Sequence, residues 1–201
     1  MITNYSAIVI QFVATVALAR LLTPSEVGTY AIAGSIFVIA QMFRDFGIST
    51  YLVREQNASR EKIEGAIALS WIVCTFLAGL LFLSSPYIAN FYDLPVLQTV
   101  LTLLSFNIFI IPLGTWSQSQ LKKEMKFRTI GAIQVTSQIT HLIISITLAL
   151  FEFGSVSLAI ASFFATLMTL ILTLWACPNH KKYRPRISNV AMVFRATSTI
   201  A

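Results

Sequence analysis

Residues 66–87 read AIALSWIVCTFLAGLLFLSSPY, a run of consecutive positions without one charged side chain. A bilayer's hydrocarbon core is about 30 Å thick and a helix rises about 1.5 Å per residue, so about 20 apolar residues cross it. Five further apolar runs flank it, uncharged but for Arg20 near the end of the first: Thr3 to Leu22, Val27 to Phe43, Val96 to Ser117, Thr129 to Phe151 and Ser155 to Ala176. Backbone amides in lipid must be bonded within the segment, which favours helices, and the runs are twice as long as the strands of a membrane barrel. The predicted fold class is an all-α, polytopic membrane protein, a six-transmembrane-helix bundle. The first run has no basic flank before it and no small-residue cleavage site after it, so it reads as a span and not as a signal peptide.

Composition agrees. The chain of 201 residues is 56% hydrophobic and 11% charged, against about 45–50% and 25% in soluble domains, and its mean hydropathy is +0.77. With 8 Gly, 6 Pro and 2 Cys it is neither collagenous, disordered nor disulfide-rich. Cys74 and Cys177 form no CxxC pair. The reading therefore includes no metal site and no cofactor.

Charge orients the bundle. Arg44, Arg54, Arg60 and Lys62 follow the second run, Lys122, Lys123, Lys126 and Arg128 follow the fourth, and Lys181, Lys182, Arg184, Arg186 and Arg195 follow the sixth. In a six-span arrangement all of these fall on one side and Arg20 alone on the other. The positive-inside rule makes that side cytoplasmic, with both termini inside a bacterial inner membrane. Trp71, Trp116 and Trp175 lie near the same side, as an aromatic belt would. The net charge of +6 is spread loop by loop, which speaks for topology and anionic lipid and against nucleic acid.

Punctuation falls between the runs. Thr23-Pro24-Ser25-Glu26 has the form of a capping box and predicts a tight turn, with spans 1 and 2 packed as an antiparallel pair. Asp93-Leu94-Pro95 and Glu152-Phe153-Gly154 break the chain after spans 3 and 5, Pro112 predicts a kink in span 4, and Gln118 to Arg128 reads as a basic amphipathic elbow at the inner interface.

No HExxH, GxSxG, P-loop or intramembrane carboxylate pair is present, so no catalytic residue is assigned and the chain is not read as an enzyme. Polar residues within spans are the next place to look. Gln134, Gln138, His141 and Ser145 recur at i, i+4, i+7 and i+11 on one face of span 5. Span 2 has a weaker stripe of helical spacing in Tyr30, Gly34, Gln41 and Asp45, span 1 carries Asn4, Gln11 and Thr15, and span 4 carries Asn107. These faces either line a shared hydrophilic cavity or make interhelical hydrogen bonds, worth about 0.6 kcal/mol each. Arg20 either snorkels to the outer headgroups or meets an anionic substrate; Arg44 and Asp45 either pair with each other or with Arg54-Glu55, or guard the inner mouth. Ser157, Ala161, Ala165 and Thr169 on span 6 read as a packing face of small residues.

Several strings carry a resemblance. Ala19-Arg-Leu-Leu-Thr-Pro-Ser-Glu-Val-Gly-Thr-Tyr-Ala31 and Asp45-Phe-Gly-Ile-Ser-Thr-Tyr-Leu-Val-Arg-Glu55 resemble the first hairpin and the segment after span 2 of the polysaccharide exporters, the Wzx-type flippases of lipid-linked oligosaccharides. Gln120 to Arg128 and the stretch around Tyr183-Arg-Pro-Arg-Ile187 are similar in position and type. The likeness is to the lipopolysaccharide and colanic-acid exporters of the multidrug/oligosaccharidyl-lipid/polysaccharide exporter superfamily.

The resemblance implies one six-helix lobe of a two-lobe transporter, over residues 1–176, with 177–201 a basic cytoplasmic linker toward a seventh span. On this reading the chain is an amino-terminal half. It implies alternating access that moves a polyprenyl-diphosphate-linked oligosaccharide across the inner membrane for lipopolysaccharide, capsule or exopolysaccharide. Implied partners are that substrate, membrane lipids, a second lobe or another copy, and a polysaccharide polymerase or glycosyltransferase. From spacing and charge, Arg20 and Arg44 are matched to diphosphate, and Gln41, Gln134, Gln138 and His141, with Asp45 beside them, complete the candidate substrate set. Two alternatives stand beside it: a drug or metabolite antiporter of the superfamily, disfavoured by acids that sit only at span ends, and a non-transporting scaffold for polysaccharide assembly enzymes.

Overall fold

The computed structural model describes residues 2–44 and 60–177; the side chains of residues 2–9, 11, 13 and 60–62 lie outside that description. Asp45, the Arg54-Glu55 segment, the basic tail and the side chains of Asn4 and Gln11 therefore fall outside it too. Among the described residues there are seven helices and no strand: α1 (Ile2–Leu21), α2 (Pro24–Arg44), α3 (Arg60–Phe91), α4 (Pro95–Ile110), α5 (Pro112–Lys123), α6 (Phe127–Leu150) and α7 (Ser155–Ala176). Four of the described spans are long and apolar enough to cross a membrane: α2, Ile63–Phe91 of α3, α6 and α7. The pair α4 and α5, bent by 54° at Ile111-Pro112, makes a fifth. The kink expected at Pro112 is there, because that proline opens α5 as its first residue.

The surface is the reverse of a soluble protein's. Phe12, Phe76, Leu83, Phe91 and Trp175 are 68–85% exposed, while Ser105, Asn107, Ser117, Ser145, Ser157 and Thr173 are buried. Only a hydrocarbon solvent tolerates that distribution. The interior uses small residues so that helices can approach. At its centre is α4, whose Leu97, Val100, Leu101, Leu104 and Ile108 pack with Ala33 of α2, Cys74, Ala78 and Leu81 of α3, and Ala159 of α7. Of the three tryptophans only Trp175 is exposed; Trp116 is buried and Trp71 stacks edge-on against Phe109 at 5.7 Å. Of the belt expected at the basic end, Trp116 is therefore interior packing.

At a rise of about 1.5 Å per residue, α3 is about 48 Å long, well beyond the core of the bilayer. It runs past the expected end at Tyr87 and through Pro86 to Phe91. Pro86 has no N–H to give the carbonyl of Phe82. The hydroxyl of Ser85 takes its place, donating to Phe82 O at 2.8 Å. The helix continues because the residue before the proline repairs the ladder.

Three helices close in the same way. The N–H groups of Leu94, Lys126 and Phe153 reach back to Ala89, Leu121 and Leu148, and those of Asp93, Met125 and Glu152 to Asn90, Lys122 and Ala149. This is the Schellman arrangement, which places one residue in the left-handed region. Asp93, Met125 and Glu152 occupy it at φ 54, 51 and 61. The expected capping box is also formed: Thr23 N and Oγ1 donate to Glu26 Oε2 at 2.7 and 2.8 Å, and Glu26 N donates to Thr23 Oγ1 at 3.4 Å. The same carboxylate abuts Gly154, so the α1–α2 and α6–α7 turns share one end of the bundle, opposite Lys122, Lys123, Lys126 and Arg128. Within that basic turn Glu124 lies 2.7 Å from Lys126 Nζ and holds the ammonium above the ordinary lysine range.

The tight turn does not bring its two helices together. α1 lies along α6, whereas α2 lies along α4, with further contact to α7 and α3. The expected antiparallel pairing of spans 1 and 2 is therefore corrected: the capping box fixes the chain reversal but not the packing, and the helices splay.

Two substitutions test these local arguments. Ser85→Ala should cost about 1–2 kcal/mol by leaving Phe82 O unpaired; adding Pro86→Ala should recover most of it, read as a double-mutant cycle of unfolding in micelles. Gly154→Ala should be destabilised by at least about 1–2 kcal/mol, because its φ of +54 is strained for any side chain and a Cβ would stand 3.1 Å from Glu26 Cδ. Glu26→Ala in that background should relieve only the steric part.

Candidate functional site

The polar stripe of α6 borders two cavities. The first, of about 370 Å³, lies among α5, α6 and α7 toward the basic end. Gln134, Gln138 and His141 line it from α6, Gln118 and Lys122 from α5, and Ser162, Ala165, Thr169 and Thr173 from α7. The second, of about 500 Å³, occupies the gap between the splayed α1 and α2 in front of α6. Ile10, Ala14, Leu18, Ala19 and Leu22 line its front and Tyr30, Gln138 and His141 are among its polar groups. Gln138 and His141 belong to both and so form the partition between them. Both volumes are within the about 300–1,000 Å³ usual for small-molecule sites.

Hydroxyls elsewhere in the bundle are returned to their own helices. Thr136, Ile143, Thr115 and Ser162, for example, accept through their carbonyls from Thr140, Thr147, Ser119 and Thr166 at 2.7–3.0 Å. Such back-bonding keeps a polar side chain neutral in an apolar solvent. Across the first cavity Thr169 Oγ1 donates to Ser137 Oγ at 2.7 Å and ties α7 to α6. Beneath it Asn107 Nδ2 donates to Ser162 Oγ at 3.0 Å, with the Tyr30 hydroxyl beside the same serine.

Against this background the unpaired atoms stand out. Among the described residues the buried side-chain atoms without a hydrogen-bond partner are Asn107 Oδ1, Ser117 Oγ, Gln138 Oε1 and Thr173 Oγ1. Two of the four belong to residues lining the first cavity, and Thr173 is only 1% exposed. An amide oxygen accepts only, so whatever satisfies Gln138 must bring a donor hydrogen. Lys122 supplies the cavity's cation, exposed at the end of α5. The arrangement can therefore hold a ligand rich in hydroxyl groups with one anionic end.

The structure brings Gln134, Gln138 and His141 together as lining groups; Ser145, the last of the stripe, is buried and donates to Leu142 O at 3.0 Å. Gln41 and Arg44 lie at the end of α2 and line neither cavity. Arg20 is exposed in the last turn of α1, next to Ala19 at the rim of the second. Asp45 lies outside the described residues. Sequence reasoning missed Lys122, Gln118 and the hydroxyls of α7. A signal existed: Ser162, Thr166, Thr169 and Thr173 follow the same i, i+4, i+7, i+11 spacing as the stripe of α6. The small-residue face of α7 is shared between uses, with Ser157 and Ala161 buried and Ala165 and Thr169 on the cavity.

Residues 17–200 match the family model described as polysaccharide biosynthesis protein. The chain is 27% identical over 177 residues to the succinoglycan biosynthesis transport protein ExoT of Rhizobium meliloti, covering 88% of this chain and 35% of that one. It is 28% identical over 131 residues to the teichuronic acid biosynthesis protein TuaB of Bacillus subtilis, covering 65% and 27%. It is 25% identical over 124 residues to the lipopolysaccharide biosynthesis protein WzxC of Escherichia coli, covering 60% and 24%. The aligned region thus spans about a third or less of each relative's length. No solved structure matches.

Structural and ligand-facing roles separate experimentally. Gln138→Leu should leave stability unchanged or raise it by up to about 1 kcal/mol, since it removes an unsatisfied acceptor. Thr169→Val should cost about 0.6–1 kcal/mol through the lost contact with Ser137. Reversible unfolding in micelles measures both.

Proposed function

Since this chain belongs to the polysaccharide biosynthesis protein family and is of the Wzx flippase-like type, we propose that it takes part in flipping a polyprenyl-diphosphate-linked oligosaccharide from the cytoplasmic to the outer leaflet of a bacterial inner membrane. The observation that carries this reading is the first cavity: a pocket in an apolar bundle onto which Gln134, Gln138, His141, Thr169 and Thr173 project, with Gln138 Oε1 and Thr173 Oγ1 unpaired and Lys122 as its cation.

The chemistry runs as follows. The basic end faces the cytoplasm by the positive-inside rule. The diphosphate of the lipid-linked unit meets Lys122, a point charge suited to a phosphate oxygen. Sugar hydroxyls enter behind it, donating to Gln138 and exchanging hydrogen bonds with Gln134, His141, Thr169 and Thr173. The hydrocarbon tail stays in the bilayer, so only the polar head has to be hidden from lipid. Movement at the partition of Gln138 and His141, where the two cavities meet, provides the change of access. Closing the open side of this pocket is the work of a second lobe or a second copy, and a polymerase or glycosyltransferase that receives or supplies the unit is the natural further partner.

A host lacking its own exporter of the matching sugar tests this. Surface polysaccharide should return when the chain is supplied together with a second lobe. At equal membrane levels, Lys122→Glu and Gln138→Leu should each lower it about tenfold or more, the scale of a lost charge-assisted or buried hydrogen bond. Full polymer from both variants would remove this cavity from the transport path. No polymer from the wild-type pair, in every sugar background tried, would instead favour a non-transporting scaffold.

A further inference from the structure

Resting on the assignment of the first cavity to the lipid-linked unit, we infer that its wall selects the sugar by charge: it takes a neutral sugar next to the diphosphate and rejects an acidic one. At the helical rise the lining of α6 from Ile130 to His141 spans about 16 Å. Lys122 stands at one end of that length, beside the basic turn. Among the described residues no second lysine or arginine and no carboxylate lines the cavity. With the diphosphate on Lys122, the sugars that follow it lie against groups of no fixed charge.

Hydrogen-bond directions sharpen the choice. Thr169 Oγ1 directs its hydrogen to Ser137 Oγ at 2.7 Å and Ala165 O at 2.9 Å, and Ser162 Oγ gives its own to Ala159 O at 2.8 Å. Neither hydroxyl has a hydrogen left for a ligand. The unpaired Oε1 of Gln138 adds an acceptor that can give nothing. Sugar hydroxyls bring the missing hydrogens, whereas a carboxylate only accepts and brings none. The side-chain amides of Gln134 and Gln138 can donate to a carboxylate but cannot neutralise it, and an ion taken out of water without a counter-charge is strongly disfavoured. Between these groups the wall is Leu121, Ile130, Ile133 and Ala165, which suits the C–H face of an uncharged ring. Thr173, whose hydroxyl has no partner, stands in the last turn of α7, toward the same end as Lys122. A free hydroxyl hydrogen and the fixed charge thus lie on the phosphate side, with acceptors behind them.

The test titrates the chain in micelles at pH 8, above the ordinary titration range of an imidazole, with three short-chain prenyl diphosphates: one bearing glucose, one bearing glucuronic acid and one bearing no sugar. Calorimetry reads the affinities. The glucosyl probe should bind about tenfold or more tighter than the glucuronosyl probe, although the extra negative charge draws the latter to the basic end. Lys122→Gln should weaken all three alike, because it meets the diphosphate they share. Gln134→Arg, at an exposed position of the lining, should raise glucuronosyl binding about tenfold relative to glucosyl. Equal or tighter binding of the glucuronosyl probe by the wild-type chain would overturn the selectivity while leaving the cavity a diphosphate site. A loss on Lys122→Gln confined to the glucuronosyl probe would put the carboxylate on Lys122 and overturn it as well. No binding of any probe would remove the cavity from the transport reading, and the selectivity with it.

Discussion

Everything in this bundle answers to one constraint: hydrocarbon offers no hydrogen bonds, so polar groups must be satisfied from within the chain. The serines and threonines of the helices return their hydroxyls to carbonyls three or four residues back. Ser85 does so at the one carbonyl that Pro86 has left without its normal partner, and α3 stays helical as a result. Asp93, Met125 and Glu152 accept a left-handed backbone so that the last carbonyls of three helices are bonded. Where a rule is kept so widely, its exceptions have meaning. The unpaired oxygens of Gln138 and Thr173 face a cavity, where a ligand or water can complete them.

The second organising feature is the separation of α1 from α2. Their connection is short and well bonded, and Glu26 both caps α2 and abuts the α6–α7 turn at Gly154. That contact holds two turns together at one end, while the helices below them go to different partners. The result is two cavities with a common partition. One opens near the basic turn and carries the hydroxyls of α7 opposite the amides of α6; the other runs along α1 and reaches the opposite rim. The two share Gln138 and His141.

Much of the helical framework was legible from the amino-acid order. Long uncharged runs give the spans, and Thr23-Pro24-Ser25-Glu26, Asp93-Leu94-Pro95, Pro112 and Glu152-Phe153-Gly154 give the breaks, because capping and proline effects act over four residues. The end of α3 was not legible, since the hydroxyl that carries it through Pro86 is a side-chain matter that a hydropathy run does not register. Gln134, Gln138 and His141 were found because one helix face repeats at 3.6 residues. Lys122 was read as interface and Thr169 as packing because a cation at a helix end, or a threonine among small residues, serves either purpose until its neighbour is known.

What the sequence determined alone, then, is what local physics decides: that the chain is helical and membrane-embedded, where it turns, and which side chains share a face. Only the tertiary structure decided which faces meet. It put α7's hydroxyls opposite the stripe of α6, moved Trp116 inside, set Gln41 and Arg44 apart from both cavities, and parted α1 from α2. The reason is that helices in lipid are all apolar enough to pack against one another. Their choice of partner rests on small differences in fit and a few hydrogen bonds between distant residues, and these have no signature along the chain.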